Sequence, residues 1–254
     1  MKTAVGLIAG ALLAVARTAS AQGVDEFGAY GGLERGAPRE SPQTVAFEAR
    51  FGPYLPNVDD EFDGAAPFED VFGNDNRYLL GFEVDWQALR IPHFGSLGPG
   101  IGWGYTKMTA NAFLTDQPDR RSEEETSLKL MPFYLVAVLR ADVLARETPV
   151  PFVPYVKLGL GAALWWANDA DGASRDATGK IGRGLSYGGQ FALGGMLLLD
   201  VLDREGAIQM ETSTGINNSY FFLEWYASSL DGFGSGDQMQ VGTSTWMLGL
   251  AFEI

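Results

Sequence analysis

The chain has 254 residues, 46% of them hydrophobic, with no cysteine and with 32 acidic against 18 basic side chains, a formal charge of −14. That sign, with no basic stripe to interrupt it, argues against nucleic acid as a partner. The lack of cysteine removes disulfides, thiolate metal sites and thiol nucleophiles, and the length allows one barrel-sized domain or two small ones with no composition break to force the second.

Lys2 supplies a positive n-region, Val5 to Ala16 an apolar h-region, and Ala19-Ser20-Ala21 a small-x-small cleavage pattern, so residues 1–21 read as a secretory signal peptide. Residues 22–43, rich in Gly and Pro, read as an irregular lead-in, and residues 44–254 as one domain. The longest later apolar run, Leu130 to Leu139, contains Pro132 and is far short of the roughly 20 residues that a membrane helix needs. If the mature chain crosses a membrane, it does so with strands.

From Thr44 to Tyr54 the sequence alternates, with Val45, Phe47, Ala49 and Phe51 on one face and Ala46, Glu48, Arg50 and Gly52 on the other. Turning Arg50 toward hydrocarbon would cost about 2–4 kcal/mol near the midplane, so the charged face is expected to look inward. The same rule turns Tyr78, Leu80, Phe82, Val84 and Trp86 outward over Arg77 to Ala88, with Glu83 and Asp85 inward. Over Leu97 to Asn111, Ile101, Trp103 and Tyr105 face out, while Gly100, Gly102 and Gly104 face an interior crowded by larger neighbours.

Glu125 to Arg140 is apolar on both faces. Pointing Lys129 inward sends Leu130, Tyr134, Val136 and Val138 to lipid. Phe152 to Trp166 gives Leu158, Leu160 and Leu164 outward and Lys157, Gly159 and Gly161 inward, and Arg183 to Leu199 gives Leu185, Tyr187, Leu193 and Leu197 outward and Ser186, Gln190 and Met196 inward. From Ala207 to Tyr226 the parity slips between Ile208 and Phe221, which predicts a seventh strand kinked near Gly215 to Ser219, with Glu211 inside. The eighth strand, Met239 to Ile254, carries Trp246, Leu248, Leu250, Phe252 and Ile254 on one continuous apolar face. With these boundaries the odd-numbered connections are all longer than the even-numbered ones.

The reading is an all-β, eight-stranded, antiparallel up-and-down transmembrane β-barrel with an N-terminal signal peptide. The signal peptide, the run Pro151-Phe-Val-Pro-Tyr-Val-Lys-Leu-Gly-Leu-Gly161 and the Trp246 to Ile254 alternation resemble the small eight-stranded outer-membrane barrels of Gram-negative bacteria. Phe51-Gly-Pro-Tyr-Leu-Pro-Asn-Val-Asp59 and Pro67-Phe-Glu-Asp-Val-Phe-Gly73 look more narrowly like a myxobacterial-type group of barrels of unknown function. The resemblance implies export to the outer membrane, termini in the periplasm and long outer loops. It also implies contact with lipid and lipopolysaccharide, and recognition of the last strand by the outer-membrane assembly machinery. That signal ordinarily ends in Phe or Trp, whereas this chain ends in Ile254 with Phe252 two residues back.

Some small barrels of this kind act on lipid A or as proteases, through His with Ser, Asp, Asn or Glu near the outer rim. This chain's one histidine, His93, falls in a short connection on the expected periplasmic side, which argues against catalysis. Nothing in the sequence calls for a cofactor.

The expected interior charges Glu48, Arg50, Glu83, Asp85, Lys129, Lys157 and Glu211 read either as a closed structural network or as the lining of a narrow ion or small-solute channel. In the first outer loop, Asp59, Glu61, Asp63 and Asp70 have the spacing of a calcium loop. Pro67 and an Asp in the last position weaken the match, leaving a solvated acidic loop or divalent cations held at the lipopolysaccharide surface. The expected role is that of a non-enzymatic barrel, structural or interacting at the cell surface.

Overall fold

The computed structural model describes residues 44–254 apart from 76, 115, 116, 170, 171, 176–178 and 237; the signal peptide and lead-in expected over 1–43 lie outside these described residues. Eight long strands form the barrel: β1 (Val45–Tyr54), β2 (Arg77–Trp86), β3 (Gly95–Leu114), β4 (Gln117–Arg140), β5 (Phe152–Asp169), β6 (Arg183–Leu198), β7 (Asn218–Ser229) and β8 (Thr243–Glu253). Each pairs antiparallel with the next, and β1 pairs with β8 from Ala46↔Glu253 to Phe51↔Leu248. The sheet therefore has no open barrel edge, so the backbone polar groups of its walls are satisfied within the barrel. Two short strands, Leu89–Ile91 and Gly172–Ala173, fold back onto the start of β3 and the end of β5.

Phe47, Phe82, Leu158 and Leu250 stand exposed on the outside, while Glu48, Glu83 and Lys157 on the alternate positions are buried within. An apolar exterior around a closed, charged interior inverts the pattern of a water-soluble protein and matches a barrel solvated by hydrocarbon. The crowding expected around the β3 glycines is present. A methyl on Gly102 would run into the ring of Tyr134, and one on Gly100 into Asp85, Val136 and Val138.

Three expectations are corrected. In β4, Leu130, Tyr134, Val136 and Val138 point into the barrel, and Phe133 and Leu135 point out. Register here is set by Arg140 and Tyr134, which have interior partners, rather than by Lys129. The outer parts of β3 and β4 form a ribbon pairing Lys107 with Lys129 and Asn111 with Glu125, beyond the reach of β2, whose pairing with β3 runs from Leu80↔Tyr105 to Asp85↔Gly100. Lys129 sits half-buried on the outer face of that ribbon, and Lys107 bonds Glu125 at 3.2 Å.

The segment expected to open a kinked seventh strand is instead a helix, Arg204–Thr214. Asp203 accepts a hydrogen bond from Gly206 N at its start, and Gly215 closes it in the left-handed region at φ 77°. Ala207, Gln209, Met210 and Glu211 are good helix formers, so two apolar residues at alternate positions do not impose a strand. Glu211 therefore lies on a helix outside the barrel wall.

The third correction follows. The β6–β7 connection, residues 199–217, contains this helix and is not a short turn, whereas β3 and β4 are joined almost directly, so the alternation of connection lengths fails. The first loop holds a 3-10 turn (Val58–Glu61) and helix α1 (Pro67–Phe72).

Candidate functional site

Alternation along six strands brings the charged residues to one place. Glu48 and Arg50 come from β1, Glu83 and Asp85 from β2, Arg140 from β4, Lys157 from β5, Glu224 from β7 and Glu253 from β8, and all are buried. Glu48 is the node. Its Oε2 accepts from Arg50 Nη2 at 2.6 Å and from Lys157 Nζ at 2.6 Å, and its Oε1 accepts from Arg140 Nη2 at 2.8 Å.

Arg50 reaches Glu83 at 2.5 Å and Glu224 at 2.9 Å, with its guanidinium 5.5 Å from the centre of the Tyr134 ring and 5.8 Å from that of Phe222. Lys157 also bonds Glu83 at 2.6 Å and lies 3.9 Å from Glu224. Nearer the chain termini, Arg140 pairs with Asp85 and, at 3.4 Å, with Glu253.

Five carboxylates meet three cations here, and neutral donors add to the coordination of two of them. Tyr155 donates to Glu224 at 2.9 Å, while Gln87, Asn218 and Tyr220 donate to Glu253 at 2.6, 3.1 and 2.9 Å. Charges taken out of water survive only when paired and hydrogen-bonded in this way.

An apolar layer closes the network toward the loops, and a second apolar cluster flanks it within the wall. Toward the loops, Tyr54, Leu79, Met108, Leu128, Leu130 and Met247 pack into one cluster; beside the network, Val153, Met196, Tyr220 and Phe222 pack with Ala251 into another. Tyr54 is pinned in the upper layer by donating its hydroxyl to Val241 O at 2.5 Å. Lys157 and Glu224 are 0% exposed.

Of the residues expected inside, the structure brings Glu48, Arg50, Glu83, Asp85 and Lys157 together and leaves Lys129 and Glu211 elsewhere. It adds Arg140, Glu224 and Glu253. Glu224 shares parity with Phe222 and opposes Leu223 and Trp225, a signal masked by the misassigned start of its strand. Arg140 shares parity with Tyr134, opposite to Lys129, so the reversed register hid it.

Glu48, Glu83 and Asp85 each offer a carboxylate oxygen within 4.8 Å of the others. The Lys157 ammonium and the Arg140 guanidinium already serve as their counter-ions. The loop carboxylates with calcium-loop spacing do not converge. Asp59 accepts from Phe68 N at 2.7 Å and Glu69 N at 2.9 Å, taking the place of the capping side chain that Ala66 lacks at the start of α1, and Glu61 accepts from Gln240 N. His93, in a turn at the terminal end with φ 57°, has its side chain 86% exposed and lies 3.2 Å from Glu147.

No protein-family model and no curated protein sequence matches the chain. Among solved structures it is similar to outer membrane protein OprG of Pseudomonas aeruginosa, with a TM-score of 0.48 and 12% identity, covering 84% of this chain and 96% of that one. It is also similar to Ail of Yersinia pestis, crystallised with the heparin analogue sucrose octasulfate, with a TM-score of 0.42 and 12% identity over 84% and 97% of the two chains. A third is the N-terminal β-barrel domain of OprF of Pseudomonas aeruginosa, with a TM-score of 0.37, 14% identity and coverage of 84% and 98%. On its own closed sheet and apolar exterior, the chain is an outer-membrane β-barrel.

Proposed function

We propose that this barrel is a non-enzymatic surface protein that acts through its loop end and does not conduct, its termini facing the periplasm and its loops the outside. The observation that carries this reading is the sealed interior: the side chains that would line an ion path bond one another, with an apolar layer across the barrel on their loop side. A narrow channel is the rival reading, favoured by the charged column that runs to Arg140 and Glu253 near the terminal end.

Catalysis by His93 is disfavoured on geometry. The imidazole lies at the end opposite the loops, beside Glu147, while the outer leaflet lies at the loop end of this orientation. Lipopolysaccharide is the surface the loops meet, with divalent cations bridging it to acidic positions such as Asp60, Glu61 and Asp63. The apolar alternation of β8 is what the assembly machinery reads, and Phe252 takes the place of a terminal aromatic. The Phe51–Asp59 and Pro67–Gly73 segments support placement among myxobacterial-type barrels.

Recording from the folded protein in planar bilayers tests the central point. A quiet membrane is expected, and steady ion-selective openings would overturn the closed interior.

A further inference from the structure

Strand β6 outruns its neighbour. Its first pair with β7 is Gly189↔Ser229, so residues 183–188 have no strand partner on that side. Residues of the β7–β8 connection cover part of this edge: Tyr187 N donates to Gln238 Oε1 at 3.1 Å, Ser186 Oγ to Met239 O at 2.6 Å, and Gly232 N to Tyr187 O at 2.8 Å. Loopward of them a cleft of about 450 Å³ remains, lined by Trp165, Ser174, Arg175, Lys180, Arg183 and Gln238 among others.

Its charge is out of character with the chain. Three of only 18 basic residues line it, and none of its described lining residues is acidic. Arg175 is held across its own loop by donating Nη1 to Gly179 O at 3.0 Å, and among the described residues its other guanidinium donors have no hydrogen bond. Arg183 is exposed on the lipid-facing side, directly beyond Leu185 and Tyr187 on the same face of β6, at the upper edge of the apolar belt. Residues two apart on a strand turn their N–H groups to the same edge, so Leu185 aims its N–H into the cleft as Tyr187 does toward Gln238. Trp165 packs over Gly184 on the interior face of the two strands, where any Cβ would strike the indole.

We infer that this cleft binds the phosphate of a phosphorylated saccharide, as a lipid headgroup or as a free sugar phosphate. Forked guanidinium donors with an open main-chain N–H at the upper edge of the apolar belt suit the oxyanion of a sugar at the membrane surface. The inference rests on the surface-interaction reading and names its ligand class.

The test is calorimetric titration of the full folded protein in dodecylmaltoside with bisphosphorylated lipid A, the same lipid dephosphorylated, and soluble glucosamine 1-phosphate. The phosphorylated lipid is expected to bind, more weakly as salt rises, and about tenfold more weakly to the Arg175→Ser/Arg183→Ser variant. Lys107→Gln, which removes a cation outside the cleft, is expected to change nothing. Binding of the lipid alone assigns the site to a headgroup of the surrounding membrane, and equal binding of glucosamine 1-phosphate assigns it to soluble sugar phosphates. Indifference to the phosphates, or unchanged affinity in the double variant, overturns the inference. Such failure beside a silent planar bilayer leaves the surface reading intact, whereas steady currents refute that reading without altering the titration.

Discussion

Replacing Lys157 by methionine tests the interior most directly. The two side chains are similar in length, so packing is largely kept while one cation is removed from a site with 0% exposure. Glu48 and Glu83 each lose a 2.6 Å partner, and Glu224 loses an attraction at 3.9 Å. Arg50 and Arg140 remain to face five carboxylates. Removing one member of a buried ion pair costs about 3–5 kcal/mol, because the remaining charge is stranded without water. That corresponds to roughly two to three and a half orders of magnitude in the folding equilibrium.

The assay is reversible urea unfolding in lipid vesicles followed by tryptophan fluorescence, with electrophoretic mobility reporting the closed barrel. The double variant Lys157→Met/Glu48→Gln removes one stranded carboxylate and is expected to recover part of the loss, giving a coupling well above the error of a double-mutant cycle. If Lys157→Met folds within about 1 kcal/mol of the parent, water reaches the network, and the argument for a sealed interior fails.

Three other perturbations probe separate parts of the fold. Leu158→Arg, at an outward position 65% exposed, is expected to weaken folding into bilayers by about 2–4 kcal/mol, and insertion energies equal to the parent's would count against a hydrocarbon-facing surface. Gly102→Ala places a methyl against the Tyr134 ring, and a loss of about 1–3 kcal/mol in the same unfolding assay is expected; a neutral result would mean that the interior is loose there. Asp59→Ala removes both capping bonds to Phe68 and Glu69, so hydrogen exchange over α1 should rise by an amount equivalent to about 1 kcal/mol while the barrel strands keep their protection. Unchanged exchange in α1 would assign the first loop's order to other contacts.

The alternation of large apolar with charged or absent side chains in β1, β2, β5, β6 and β8 determined the fold class and the inside of the barrel before any coordinates. It could do so because hydrocarbon and a charged lumen are such different environments that each strand must declare its faces locally, two residues at a time. Where a strand is apolar on both faces, that local signal vanishes. Arg140 and Tyr134 turn inward because of Glu48, Asp85, Glu253 and Arg50, partners brought to them by other strands.

The helical state of Arg204–Thr214 was written in its caps, Asp203 and Gly215, but alternation of Ile208 and Met210 spoke for a strand over the same residues. Only the absence of a neighbouring strand to pair with settles such a conflict. The cleft at β6 lay furthest from the sequence. It exists because β6 extends past the end of β7, and relative strand length is a property of the assembled sheet that no single stretch of residues encodes.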